Sequence, residues 1–108
     1  MIPSEIQKQL AELTAENNKG HEALYAAEVK LAHAEHELDT IEQKAFIKHE
    51  GTVADRNALA RLEAAESRLQ RDLRKAEANR IRLKIRSLET AIMASATQAK
   101  LAQSEMKL

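Results

Sequence analysis

Apolar residues recur at alternating spacings of four and three along the first half of the chain, from Ile6 to Ala45. This alternation is the heptad repeat of coiled coils, in which one face of a long helix packs against another helix. From Leu24 onward a large residue alternates with alanine, which lets a partner helix approach closely at each alanine. Asn17 and Gly20 interrupt the apolar series with an amide and a glycine. The full series is Ile6, Leu10, Leu13, Asn17, Gly20, Leu24, Ala27, Leu31, Ala34, Leu38, Ile41 and Ala45.

The second half of the chain begins with a similar repeat, the near-turn set, and then changes phase into a distal set. A change of phase rotates the apolar stripe around the helix. The near-turn set is therefore predicted to face helix one, and the distal set to face another chain. Burial of the distal set together with Leu83 is expected to require dimerisation into a four-helix assembly, because two helices alone have little core. The near-turn set is Ala58, Leu62, Ala65, Leu69, Leu73 and Ala76, and the distal set, the predicted oligomer interface, is Ile81, Ile85, Leu88 and Ile92.

Gly51 and Thr52 form the one sharp interruption between the two repeats. Glycine readily adopts the left-handed conformation that ends a helix, and a threonine hydroxyl can cap the free amides at the start of the next one. Asp55, three residues after Thr52, completes the pattern of a capping box. The sequence therefore predicts that one helix ends and another begins at this point.

The two repeats and the turn predict an all-α chain that forms a single domain, a long antiparallel coiled-coil hairpin over residues 1–108. Helix one is expected at about residues 4–49, the turn at 50–52 and helix two at about 53–105. Two hairpins are expected to combine into a four-helix assembly. At this level the two arms could pair within one chain or exchange between two chains.

Residues 17–20, with the sequence NNKG, are the one weak place in helix one. Asparagine and glycine favour turns, so the chain could bend there and leave a short first helix that packs separately. A continuous helix is the preferred interpretation, because the heptad phase runs unbroken from Leu13 to Leu24. Asn17 stands at a position of the repeat where an asparagine can fix register or oligomer state in coiled coils.

The composition agrees with a helical coil and excludes several other classes of protein. Of the 108 residues 44% are hydrophobic but only 2% are aromatic, which is too few large side chains for a conventional globular core. No cysteine is present, which excludes disulfides, thiolate metal sites and cysteine nucleophiles. No apolar run is long enough to cross a bilayer and no secretion-signal pattern is found, so we expect a cytoplasmic protein without a membrane partner.

The net charge is zero, but the charges separate along the chain. Acids outnumber lysines two to one in residues 1–51, whereas basic residues, mostly arginines, strongly outnumber acids in residues 56–86. An acidic arm lying against a basic arm would select the antiparallel pairing. Arginine is also the side chain best suited to bidentate contacts with carboxylates and phosphates.

Five of these cations recur at helical spacing and would line one face of helix two. Such a face could bind an acidic protein surface or phosphates. Nucleic acid is the less expected ligand, because the chain has no net positive charge and no aromatic platform on which bases could stack. The five predicted contact residues are Arg68, Arg71, Lys75, Arg82 and Arg86.

Catalysis and metal binding find little support in the sequence. His33, His36 and Glu37 lie close together on helix one, but histidines among glutamates on a helix surface are more simply solvated, so no metal site is predicted. The sequence has no glycine-rich phosphate loop and no nucleophile motif. We therefore expect a non-enzymatic protein without a cofactor.

The junction at residues 50–56, with the sequence EGTVADR, joins the acidic arm to the basic arm. In this combination the chain resembles a group of small helix-rich bacteriophage and prophage proteins with a Gly-Thr-Val-Ala-Asp/Glu-Arg type of junction. The resemblance covers about the middle two-thirds of the chain, and residues 17–20 have no counterpart in it. It implies an accessory factor encoded near phage recombination and replication genes, with a partner in DNA metabolism and no catalytic residue to carry over.

Three functions are compatible with these features. The leading hypothesis is a dimeric or higher helical hairpin that binds and modulates a DNA-processing protein, such as a recombinase or nuclease, in the cytoplasm of the host. The second is a protein that binds the DNA backbone or protects DNA ends, which rests on the arginines alone. The third is an architectural oligomeriser, such as a scaffold for virion assembly. A DNA titration at two salt concentrations separates the second from the others, because phosphate binding weakens steeply as salt rises.

Overall fold

The computed structural model describes residues 3–107, which contain three α-helices and no β-strand. Helix α1 spans Pro3–Lys48, α2 spans Val53–Glu63 and α3 spans Ala65–Lys107. The prediction of an all-α chain is confirmed for this range, and residues 1, 2 and 108 of the predicted domain lie outside it. None of the three helices is long and apolar enough, within the described residues, to cross a membrane.

The chain divides into two compact units. One, the terminal unit, combines Met1–Leu24 with Arg80–Leu108, so the first half of α1 lies in the same unit as most of α3. The other, the central unit, is Tyr25–Asn79 and contains the rest of α1, the turn, α2 and the beginning of α3. Both units are therefore built from α1 together with helices that follow the turn.

Helix α1 continues through residues 17–20 without a break. Glu5 lies in its first turn and Lys48 in its last turn. Each charge is opposite in sign to the partial charge of its helix end and therefore stabilises that end. All positions of the predicted repeat from Ile6 to Ala45 are buried or half-buried, whereas the residues between them are mainly exposed. The heptad repeat predicted for helix one is therefore confirmed.

The turn between α1 and α2 has the conformation that its residues predict. Gly51 has a φ of +119°, which a residue with a side chain rarely adopts. The Thr52 hydroxyl accepts a hydrogen bond from the Asp55 amide at 3.1 Å, and the Asp55 carboxylate accepts one from the Thr52 amide at 3.4 Å. This reciprocal capping box satisfies two amides that would otherwise lack a partner at the start of α2.

A break at Ala64 divides the predicted helix two into α2 and α3. Ala64 is fully buried, with a φ of −89° and a ψ of 6°, and its amide donates to the Ala60 carbonyl at 3.0 Å. In the last turn of α2 the Arg61 carbonyl accepts a hydrogen bond from Nη2 of Arg68 at 3.4 Å. Neither glycine nor proline lies near Ala64, so the sequence contains no signal for this break.

The buried face of α2 and α3 in the central unit is not the predicted one. Ala60, Ala64 and Ala78 are buried, and the residues that continue their four-and-three spacing are half-buried. These intermediate positions are Ser67, Arg71 and Arg74. A single heptad phase therefore runs through the central unit, and it is the phase that the distal set continues.

The near-turn set is exposed, so its predicted packing against helix one is wrong. Leu62, for example, is 73% exposed. The physical reason is that small alanines allow a close approach between helices, while the aliphatic stems of arginines can line an interface and keep their charged ends in water. The exposed residues are Ala58, Leu62, Ala65, Leu69, Leu73 and Ala76.

The distal set lies on the buried face of its own chain. Ile85 is only 6% exposed, and Ile81, Leu88 and Ile92 are half-buried. Ile85 packs against Gly20 of α1, since a Cβ atom placed on Gly20 would lie 3.1 Å from Cγ1 of Ile85. Ile85 is therefore covered by its own chain, whereas Leu83 is 63% exposed. A contact of the distal set with a second chain stays a prediction.

Asn17 belongs to the buried face of α1 in the terminal unit, three residues before Gly20. Its Oδ1 atom is buried and has no hydrogen-bond partner among the described residues. A buried polar group without a partner costs about 1–3 kcal/mol. Asn17 and Gly20 are successive positions of the repeat, and neither contributes a large apolar side chain to it.

Candidate functional site

A groove of about 760 Å³ lies in the central unit, between α1 and the helices that follow the turn. We call it the central groove. Ala60 lines it and is itself buried, so this small side chain marks the base of the groove. The α1 side carries two acids and two apolar residues, and the opposite side carries three arginines. These residues are Asp39, Glu42, Phe46, Ile47, Arg61, Arg68 and Arg71.

The apolar part of the central groove is formed by Phe46 and Ile47, at the end of α1. The guanidinium carbon of Arg56 lies 4.0 Å from the centroid of the Phe46 ring, at the distance of a cation–π contact. Nε of Arg56 also donates a hydrogen bond to the Phe46 carbonyl at 2.9 Å. Arg56 therefore fixes Phe46, whereas the neighbouring Ile47 is 76% exposed.

The three arginines of the central groove have different partners. Nη2 of Arg68 lies 2.9 Å from Oε1 of Glu42 and also donates to the Arg61 carbonyl, so this side chain links α3 to both α1 and α2. Nε of Arg71 lies 2.7 Å from Oδ1 of the adjacent Asp72. The Arg61 side chain is exposed at the groove. Arg68 therefore has a structural role, and Arg61 is the most accessible of the three cations.

The five cations predicted from the sequence do not share one environment. Arg68 and Arg71 are half-buried and line the central groove. Lys75 is exposed in the same unit, whereas Arg82, half-buried, and Arg86, exposed, belong to the terminal unit. A contact role for all five stays a prediction, and the structure brings two of them together with Arg61.

Sequence reasoning missed Phe46, Ile47 and Arg61 as potential site residues. A signal for the first two exists, because they are large apolar residues that follow Ala45 and stand outside the heptad repeat. Phe46 is also one of only two aromatic residues in the chain. Arg61 carries no comparable signal, because it is one of many arginines in helix two.

Glu63, the last residue of α2, contacts Lys48, the last residue of α1, and His49, which follows it. Its Oε1 lies 2.5 Å from Nε2 of His49 and 3.1 Å from Nζ of Lys48. The hydrogen bonds from His49 and Lys48 hold the pKa of the Glu63 carboxyl below its ordinary value of 4.5. This cluster joins the ends of α1 and α2 across the turn.

Replacing Glu63 with glutamine is expected to remove a pH-dependent part of the stability. Because the pKa of Glu63 is lowered in the folded state, its ionised form stabilises the fold above the ordinary pKa of 4.5, and this contribution is lost as the pH falls through the lowered value. The free energy of unfolding in urea should therefore differ most between wild type and Glu63→Gln near neutral pH, and it should not differ in stronger acid. Glu50→Gln, at an exposed acid of the same turn, is the control. A difference that does not change with pH, or equals that of the control, would contradict this role.

The histidines of helix one do not form a metal cluster in the structure. His33 and His36 are both exposed. Across residues 3–107 no group of three or more histidine, aspartate or glutamate residues is arranged to hold a metal ion.

The comparisons with known proteins give no relative from which a function could be transferred. No family model, curated protein or solved structure matches the chain. The resemblance of residues 50–56 to phage proteins stays a hypothesis.

A second exposed feature of the central unit is a group of leucines on α2 and α3. Leu59, Leu62, Leu69 and Leu73 are all exposed and lie at helical spacings of three, seven and four. These spacings place them on one side of the helices, away from the buried alanines. We call these four residues the outer leucine surface.

Proposed function

We propose that the chain is an antiparallel helical hairpin. Three contacts support this arrangement, and each lies within one unit. Residue numbers rise along α1 from one contact to the next while they fall along the helices after the turn, as expected for two arms that run in opposite directions. The contacts join Gly20 to Ile85, Glu42 to Arg68 and Phe46 to Arg56.

We further propose that this hairpin is a non-enzymatic accessory protein, which binds and modulates a DNA-processing protein such as a recombinase or nuclease in the cytoplasm of a phage-infected host. The observation that carries an interaction role is the outer leucine surface, which we assign to contact with a second copy of the chain, while the central groove remains open to a different protein. Large apolar side chains that the fold leaves exposed on one side of a helix are typical of protein–protein contact sites. The phage setting and the class of partner come from the resemblance at residues 50–56.

We assign the dimer contact to the outer leucine surface rather than to the distal set. Leucines at heptad spacing form the kind of face that packs against another helix, as the buried face of α1 does. If two hairpins pair through this face around a two-fold axis, both surfaces are covered at once and a four-helix assembly results. The assembly predicted from the sequence is retained in this proposal, with a different interface.

Direct binding to the DNA backbone is less well supported. Arg68 and Arg71 already contact Glu42 and Asp72, and the net charge of the chain is zero. The leucines exposed on α2 and α3 offer nothing to a phosphate. A DNA-binding role would therefore rely on scattered cations and would show the steep salt dependence of phosphate contacts.

Replacing Leu62 and Leu69 together with serine is expected to halve the molecular mass in solution. Each chain has a mass of 12.1 kDa, so light scattering after size exclusion should show twice this value for the wild type and a single chain for the variant. The matched control replaces Leu83 and Leu101, two exposed leucines in the terminal unit, with serine and should remain dimeric. A monomeric wild type, or dissociation of both variants alike, would rule out this interface.

The partner class is tested by affinity purification of the tagged protein from infected or lysogenic cells. We expect a recombinase or nuclease to be recovered with the protein, and purified protein to bind duplex DNA weakly at low salt. Recovery of structural virion proteins alone would favour the architectural role. Tight DNA binding that falls steeply between two salt concentrations would favour the backbone-binding role.

A further inference from the structure

We propose that the central groove binds a short acidic segment of the partner protein that also carries a large apolar side chain. The inference rests on the proposed function, because it gives the chemistry by which the partner is recognised. Its basis is the presence of exposed apolar and cationic groups along one groove of about 760 Å³. A groove of this size lies within the range of sites that take small ligands or a few residues of a peptide.

The apolar anchor point of the groove is Ile47 beside Phe46. Ile47 is exposed although it lies near the end of a helix whose other large apolar residues mainly face the buried side. Arg56 holds Phe46 through its ring contact and through a hydrogen bond to the backbone, so this part of the groove is fixed before any ligand arrives. An apolar side chain placed against Ile47 would remove from water a surface that the fold itself leaves uncovered.

The anion-binding part of the groove consists of Arg61 and Arg71. Arg61 is exposed, and Arg71 uses Nε for Asp72 while its guanidinium has further N–H groups that can donate. Arginines bind carboxylates through paired, charge-assisted hydrogen bonds. Arg68 differs from both because Glu42 and the Arg61 carbonyl already hold it, so it shapes the wall of the groove.

The acids on the α1 side favour a peptide over a nucleic acid. Asp39 and Glu42 line the groove opposite the arginines. A phosphate backbone carries a negative charge at every nucleotide and would meet these carboxylates, whereas a peptide can present neutral amides to them. Phe46 is also a poor platform for a base, because the Arg56 guanidinium occupies one face of its ring.

The proposal is tested with the full-length protein and a fluorescein-labelled peptide of alternating glutamate and leucine, by fluorescence anisotropy. We expect saturable binding that Arg61→Gln weakens about tenfold, since hydrogen bonds to a charged group are lost. Ile47→Ser should weaken it about fivefold through lost apolar contact. Arg61→Gln keeps the backbone carbonyl that Arg68 uses, so the fold should be retained, and circular dichroism checks this.

Matched controls are Arg80→Gln and Met93→Ser, which change an exposed arginine and an exposed apolar residue of the terminal unit and should leave binding unchanged. Equal binding of a peptide with glutamine in place of glutamate would overturn the proposal, as would absence of saturation or equal loss in the controls. Tighter binding of duplex DNA in the same groove would make the site a nucleic-acid site instead.

Failure of this inference can be distinguished from failure of the proposed dimer. The central groove lies within one unit of one chain, so the Leu62→Ser, Leu69→Ser variant should bind the peptide as the wild type does. Loss of peptide binding with an intact dimer mass would remove only the groove proposal. A monomeric wild type that still binds the peptide would remove only the dimer.

Discussion

Replacing Ile85 with alanine is expected to lower the free energy of unfolding by about 3 kcal/mol. Ile85 is buried against Gly20, which has no side chain that could fill the space that alanine would leave. A large-to-small change at such a position loses the transfer free energy of the removed groups and leaves a cavity as well. Urea-induced unfolding, followed by circular dichroism at one protein concentration, measures this loss.

Leu83→Ala is the matched control for Ile85→Ala, because Leu83 lies two residues away on the same helix and is 63% exposed. Leu83→Ala should change the free energy of unfolding by no more than about 0.5 kcal/mol, the usual range for surface positions. The opposite order of the two variants would mean that Leu83, rather than Ile85, faces α1.

Replacing Ala78 with leucine is expected to destabilise the fold by about 2 kcal/mol. Ala78 is fully buried in the central unit, so the larger side chain must displace packed neighbours or leave its preferred rotamer. The midpoint of thermal unfolding and the free energy from urea should both fall. A loss of stability in Ala78→Leu would show that the helices approach each other closely at Ala78.

Ala76→Leu is the control for Ala78→Leu and also distinguishes the two possible phases of helix two. Ala76 is exposed, so the added side chain should change the free energy of unfolding by no more than about 0.5 kcal/mol. The phase expected from the near-turn leucines predicts the reverse, with Ala76 buried and Ala78 exposed. A large loss of stability in Ala76→Leu and a small one in Ala78→Leu would therefore contradict the burial of Ala78.

Helix one was predictable because its repeat combines two independent signals. Large residues such as Leu24, Leu31 and Leu38 alternate with alanines in a single phase, and no competing apolar stripe exists on the same helix. The cap at Gly51 and Thr52 was predictable for a local reason, since both residues act through their own backbone or side-chain chemistry. Predictions of this kind depend on neighbours in sequence and need no knowledge of the tertiary contacts.

The phase of helix two was not predictable in the same way. Between residues 58 and 78 two stripes compete, and the one with more leucines is the exposed one. The buried stripe contains Ala60, Ala64 and Ala78 with Arg71 and Arg74 between them, so its burial depends on how closely α1 approaches. That distance is set by the tertiary structure, so a count of apolar residues along each stripe selects the wrong face.

Only part of the central groove was accessible to sequence reasoning. Arg68 and Arg71 were found because basic residues at helical spacing are visible in the sequence. Phe46 and Ile47 precede the turn at residues 49–52 and those arginines follow it, so their combination in one groove is a result of folding. The structural role of Arg68 likewise depends on Glu42, which is distant from it in sequence.

Asn17 and Gly20 divide α1 of the terminal unit into segments that are expected to differ in local stability. The Asn17 layer, whose amide oxygen has no hydrogen-bond partner among the described residues, contributes less to stability than the Gly20 layer, against which Ile85 packs. The segment of α1 that precedes them is therefore joined to its neighbours mainly through Ile6, Leu10 and Leu13. Local opening of the terminal unit is therefore expected to begin with this segment, which would give a protease access to the first residues of α1.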